Sequence, residues 1–266
     1  MSEVIPLIPP DLRDELEYAR SLDVGKLSSR IVKIGFGCNN CGACCTRQDE
    51  VDEDGWADNA VVVYPFEIRR IMEVTGLSWH EVVKPPASGE VDDKGRVHTF
   101  EWHLRQKYID GHGVAKGQEV HACRFLKHER CTIYEYRPFL CRTYPFYMSD
   151  RKLYVGPCDR LGVAISRKEC LKLASAIKER YVEDLNQMIL LLEKFEPYTP
   201  KSGIGSGNYS SYDIYDNSNN NTYNTDNNTY DTDSSCGCAL VKSSGKIIEY
   251  VVHDSEGAHQ ISIQQE

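Results

Sequence analysis

The chain has 266 residues, 41% of them hydrophobic, and a formal net charge of −9, which suffices for one substantial core and an appendage. From Lys201 onward nine acids face three bases, leaving the preceding part close to neutral at −3, and neither part has the basic excess of a nucleic-acid binder. No stretch reaches the roughly 18 apolar residues that span a bilayer, and the N-terminal stretch carries acids from Glu3 with no apolar leader segment, so the expected setting is cytoplasmic.

Eleven cysteines in a reducing compartment are expected to be metal ligands or redox groups rather than disulfides. Residues 11–21 read as a short polar helix entered through Pro9-Pro10. Residues 31–36 are apolar enough for a strand or an extended lead-in. Next comes Cys38-Asn39-Asn40-Cys41-Gly42-Ala43-Cys44-Cys45. Asn and Gly tolerate left-handed backbone, so the chain can curl and point several sulfurs at one centre. The C-x2-C-x2-C spacing suits a metal knuckle and matches the first three ligands of a bacterial ferredoxin run. That run continues with a cysteine three residues on and a proline, whereas here Cys45 follows at once. A fourth ligand must therefore come from elsewhere in the chain. Adjacent Cys44 and Cys45 are hard to aim at one ion without strain, so one of them should serve a second site, bridge, or stay uncoordinated.

The acidic run Asp49-Glu50-Val51-Asp52-Glu53-Asp54 lacks EF-hand spacing and reads as a solvated loop. Ala60-Val61-Val62-Val63 signals a buried strand. Tyr64-Pro65 then opens a helix with Ile68, Ile71 and Met72 on one face, and Gly76 stops it. Ser78 caps a second short helix, with Glu81 at the capping-box position. Residues 84–120 are polar and Gly-rich and read as a β-ribbon or loop insert.

A second group of cysteines follows: Cys123, Cys131, Cys141 and Cys158. Cys131 and Cys141 flank residues 133–138, a short helix that should end before Pro138. Arg124, Arg137 and Arg142 stand beside these cysteines and are candidates for offsetting thiolate charge. His121, two residues before Cys123, is the best substitute ligand among the histidines.

Ser166 and Glu169 form a capping box that launches the clearest helix, over 167–195. Leu171, Ala174, Tyr181, Leu185, Met188, Leu192 and Phe195 recur at three- and four-residue steps along it, and Cys170 on that stripe reads as a buried structural thiol. Residues 201–235 are rich in Asn, Tyr, Ser, Thr and Asp and read as a disordered linker. The glycines at 203–207 lack the flanking strand and helix of a nucleotide site. Residues 236–266 form a small β segment, with strands at 247–252 and 259–263, too short to stand alone and expected to dock on the body. Cys236 and Cys238 precede it as exposed thiols or an accessory pair.

Taken together, the blocks around the cysteines resemble the CxxCxxCC cysteine-cluster family of zinc- or iron-chelating proteins. The matching residues are Cys38, Cys41, Cys44 and Cys45, the step Tyr64-Pro65-Phe66-Glu67, and the blocks Cys123-x-Phe125-Leu126, Cys131-x-Ile133-Tyr134 and Arg137-Pro138-x-x-Cys141-Arg142, followed by Cys158. The likeness covers roughly residues 30–160. It implies metal or iron–sulfur binding without a settled reaction. A flagellin lysine methylase resembles the family in this region, which keeps an enzymatic reading open.

The expected fold is α+β: a helix-dominated, irregular, cysteine-rich metal-binding domain over 1–200, the linker, and the C-terminal β segment. The expected function is binding of zinc or an iron–sulfur cluster through Cys38, Cys41, Cys44, Cys45, Cys123, Cys131, Cys141 and Cys158, in electron transfer, sensing or metal handling. Eight cysteines can serve two ions with four ligands each, or one four-thiolate centre with spare thiols. The alternatives are a cluster-dependent protein lysine methyltransferase and a zinc-stabilised module whose tail contacts a protein partner. No catalytic residue is indicated, and neither nucleic acid nor membrane is an expected partner.

Overall fold

The computed structural model describes residues 9–46, 60–86, 89–110, 119–128, 130–195 and 247–264. Its helices are α1 (Pro10–Ser21), α2 (Val24–Ile34), α3 (Ala43–Thr46), α4 (Pro65–Thr75), α5 (Trp79–Val82), α6 (Phe139–Thr143) and α7 (Arg167–Lys194), with a 3-10 turn at Tyr134–Tyr136. The strands before that turn are β1 (Val83–Lys84), β2 (Glu90–Val91), β3 (Val97–Thr99), β4 (His103–Leu104), β5 (Gln106–Asp110), β6 (Glu119–Cys123), β7 (Leu126–Lys127) and β8 (Arg130–Cys131). Those after it are β9 (Phe146–Ser149), β10 (Lys152–Val155), β11 (Ile247–Asp254) and β12 (Gly257–Gln264).

Two apolar cores organise these elements. In the first, α1 and α2 lie against α7, and Leu16, Ala19, Leu27 and Ile31 meet Ala174, Ile177, Tyr181 and Leu185. The expectation of extended chain over 31–36 is corrected here, because those residues up to Ile34 are helical. Asp23 explains the start: its carboxylate accepts from the Gly25 and Lys26 backbone N–H groups and caps α2. Gly35, at φ 74°, ends it. A Cβ there would stand 2.9 Å from the Val163 carbonyl oxygen, so only glycine fits.

Helix α7 starts where the capping box places it, with Ser166 Oγ accepting from Glu169 N at 3.2 Å. Its buried stripe is Cys170, Ala174, Ile177, Tyr181 and Leu185, continued by Ile189 and Leu192. Leu171 is not on it. One residue of offset turns a helical side chain by about 100°, and Leu171 is 38% exposed.

The second core gathers Val61, Val63, Ile68, Ile71, Val82, Trp102, Phe125 and Ile133. Helix α4 ends as expected at Gly76, in the left-handed region at φ 70°. Residues 61–63 add a bridge rather than a full strand: Val63 N donates to Trp102 O and Leu104 N to Val61 O, both at 2.9 Å. The polar segment after α5 is a series of short ladders, β1 with β4 and β5 with β6.

A four-stranded sheet in the order β12-β11-β3-β2 closes this core. Strand β11 runs parallel to β3, Tyr250 opposite Val97 and Val252 opposite Thr99, and antiparallel to β12. The C-terminal strands thus dock on the body, burying Ile248, Tyr250 and Val252. The expected linker and Cys236 and Cys238 lie outside the described residues.

Candidate metal centre

The knuckle turns where its small residues permit. Asn40 (φ 57°) and Gly42 (φ 73°) are both left-handed, and Cys45 N donates to Gly42 O at 2.8 Å as α3 begins. Cys38, Cys41 and Cys44 are exposed and Cys45 is half-buried. The second group arrives on three elements. Cys123 ends β6 and is buried, Cys131 ends β8 opposite Leu126, and Cys141 sits in the middle of α6. Thr132 fastens the turn between the first two, its N and Oγ1 donating to Phe125 O at 2.8 and 3.0 Å.

The two groups meet at Cys45. Its thiol shares hydrogen bonds with Cys123 and Cys44, which together with burial push it far above the usual thiol range. The same contacts act oppositely on the neighbours. Hydrogen bonding to Cys45 pulls Cys44 down to about 7, helped by Arg137 against the effect of burial, and it lowers Cys123. The contact thus favours the protonated form of Cys45 and the thiolate form of the sulfurs beside it. Burial raises Cys131 and Cys141, and charge on Cys123 and Cys44 raises both further, so all five sulfurs share one electrostatic neighbourhood. Among the described residues no group of three or more Cys, His, Asp or Glu side chains is placed so that it could hold a metal ion as it stands. What the fold provides is a loose gathering of thiols, and donors of that kind suit a soft metal rather than a hard cation.

The remaining candidates are placed differently. Cys38 lies at the rim, its Sγ 3.6 Å from Asn40 Oδ1 and within hydrogen-bonding reach of the Tyr134 phenol. Cys158 packs against the helical core. Its loop runs beside the chain entering the knuckle, where Gly37 N donates to Arg160 O at 3.3 Å and Gly162 N to Gly35 O at 3.0 Å. Cys170 is the buried thiol its stripe implied, donating to Ser28 O at 3.1 Å. The backbone of His121 lies in β6 opposite Tyr108, and its side chain is outside the described residues.

Of the three arginines, only Arg137 serves the thiols. Its guanidinium lies 3.6 Å over the Tyr134 ring, its Nε donates to Tyr134 O at 2.8 Å, and its charge lowers Cys44, Cys131 and Cys141. Arg124 instead pairs with Glu81 at 3.7 Å. Arg142 covers the Phe139 ring at 4.3 Å and faces Glu67. Tyr134 entered the sequence reading only as part of the block Cys131-x-Ile133-Tyr134, without a role of its own, although its place between Cys131 and Arg137 is the signal that could have supplied one.

A family model described as "Putative zinc- or iron-chelating domain" matches residues 37–170, half of the chain and both cysteine groups. The chain belongs to the CxxCxxCC family. No curated protein and no solved structure matches it. The part typical of a CxxCxxCC protein runs from the knuckle to the first turn of α7, leaving α1, α2 and the β11–β12 hairpin outside the match. Among the described residues no helix is long and apolar enough to cross a membrane.

Proposed function

We propose that the protein binds zinc or iron at one composite thiolate centre, with Cys44 and Cys45 from the knuckle and Cys123, Cys131 and Cys141 from the second group. The hydrogen-bonded contact of Cys45 with both Cys44 and Cys123 carries this reading, because it joins sulfurs that are far apart in sequence. Thiols bind metal as thiolates, so loading releases protons. The charge left on the sulfurs is then offset by the metal and by Arg137, whose charge already acts on Cys44, Cys131 and Cys141.

Cys38, Cys41 and Cys44 of the knuckle are exposed, whereas Cys123 is buried. Purely structural zinc sites are closed four-ligand shells. Exposed thiols on the knuckle are instead in keeping with metal handling or sensing, in which the ion is reached from solvent.

The test is metal content after purification without oxygen. Stoichiometric iron and sulfide with absorbance near about 400 nm would mean a cluster, and colourless protein holding zinc a mononuclear centre. Cys45→Ser and Cys123→Ser should each lose most of the metal, and Cys170→Ser should keep it. Protein that takes up neither metal when supplied with both would overturn the proposal.

A further inference from the structure

The Tyr64-Pro65-Phe66-Glu67 step holds no thiol, yet it lies against the arm that carries Cys141. A glutamate three residues after a helix N-cap ordinarily bends back to that residue's N–H from the solvent side. Glu67 does so, with Oε2 accepting from Tyr64 N at 3.1 Å, but it is buried, at 6% exposure. Burying a carboxylate is costly unless its oxygens find donors. The second donor comes from another helix: Oε1 accepts from Phe139 N at 2.7 Å. Phe139 is the first residue of α6, and Pro138 before it has no N–H to offer. One carboxylate thus closes the starts of both α4 and α6.

Neighbouring contacts hold the same arm. The Phe66 ring stands edge-on to Phe139 at 6.1 Å. At the far end of α6, Thr143 Oγ1 donates to Phe139 O at 2.9 Å and accepts from Arg180 Nη1 at 3.0 Å. Arg180 also holds Asp184 at 3.2 Å, and Asp184 accepts from the Tyr64 hydroxyl at 2.7 Å. Cys141 is two residues from Phe139, on a helix of five residues. So short a helix has no stability of its own and takes its position from its ties.

We infer that Glu67 is a positioning residue for the metal centre, holding α6 so that Cys141 faces the other thiols. This rests on the composite centre proposed above. Outer partners of metal ligands typically change affinity by about 10–100-fold when removed. Gln has one acceptor oxygen where Glu has two, so Glu67→Gln can satisfy only one of the two N–H groups well.

The experiment titrates the full-length protein with Co²⁺, whose thiolate charge-transfer absorption reports bound sulfurs. Four proteins are compared: wild type, Glu67→Gln, Cys141→Ser and the double variant. Glu67→Gln should bind Co²⁺ about 10–100-fold more weakly than wild type. In the Cys141→Ser background the same change should cost little further affinity, because the two residues act through one another. Wild-type affinity and spectrum in Glu67→Gln would overturn the inference, and so would fully additive losses, which mark a general effect on folding. Should Glu67→Gln fail to fold, Glu67→Asp keeps the charge while shortening the reach to Phe139, and the same cycle is read on it. Wild type that takes up none of Co²⁺, Zn²⁺ and iron would instead sink the composite centre itself.

Discussion

Around α7 the apolar residues repeat at three- and four-residue steps, and the helices they build close on one another through Ile31, Ala174 and Ile177, each at most 1% exposed. The core beside the thiols is as dry, with Ile68, Ile71, Val82 and Val83 at 0% exposure, but the elements that carry the cysteines are short. Several of the ladders there are two residues long, and Cys45, Cys131 and Cys141 fill places at the edge of the core where aliphatic side chains would otherwise stand. One residue type does different work on the two sides. Cys170, alone among apolar neighbours, behaves as a small hydrophobe with a weak donor. Cys44, Cys45 and Cys123 instead share hydrogen bonds with one another, and Cys131 and Cys141 feel the charge of Cys44 and Cys123. Company decides the role, and the cysteine half should lean on metal where the helical half leans on packing.

The largest effect expected from this contrast is that of metal removal. Structural zinc can contribute on the order of 10 kcal/mol to folding, so stripping the metal with a chelator should abolish amide-exchange protection in β6 and α6. Protection in α7 should persist. Equal loss in both halves would show that they share one source of stability.

Next in size is Ile177→Ala, which empties a 1%-exposed position in the helical core. The expected cost is about 2–5 kcal/mol in chemical denaturation, with metal content unchanged. A fall in bound metal would mean that the halves are coupled through α7 more tightly than their separate cores suggest.

A smaller effect should follow acidification. His253 on β11 accepts or donates one hydrogen bond with His98 at 3.0 Å, and His98 reaches Asp92 at 3.0 Å. Burial, and then the charge of His98, push His253 down to about 4 from the usual 6.5. The unfolded chain therefore takes up a proton near pH 6.5 that the folded chain refuses until about 4. Stability from this source is complete above that window and is lost as pH falls through it. Asp92 acts in the same direction at lower pH: burial raises it, but donors from Arg96, His98 and Lys94 outweigh that and hold it well below the usual carboxylate range. The denaturation midpoint should drop between pH 7 and 5, and His253→Phe should flatten the profile. A flat wild-type profile would show that this histidine pair does not secure the hairpin.

Local chemistry made much of this legible. The box of Ser166 and Glu169, the glycine at 76 and the left-handed turns at Asn40 and Gly42 all act within a few residues, so the sequence displays them directly. Helix α2 was misjudged because Ile31-Val32-Lys33-Ile34 looks strand-like by residue type. Asp23 and the face of α7 decide otherwise, and only the first is near in sequence. The gathering of thiols was half legible. Spacing marked the cysteines, but not that Cys45 would join the two groups, nor that two of three arginines would turn to Glu81 and Phe139. Those choices belong to the packing of distant segments.

The parallel pairing of β11 with β3 sets an order of events in time. Its partners, such as Val97 and Tyr250, are about 150 residues apart in the chain. Closing so long a loop costs little more than closing a shorter one, but contacts of that range form slowly. A ribosome makes β3 well before β11. During that interval β3 has one edge without its strand, and an open edge can pair with any other extended chain. The hairpin is thus the seal on a sheet that synthesis leaves temporarily unfinished.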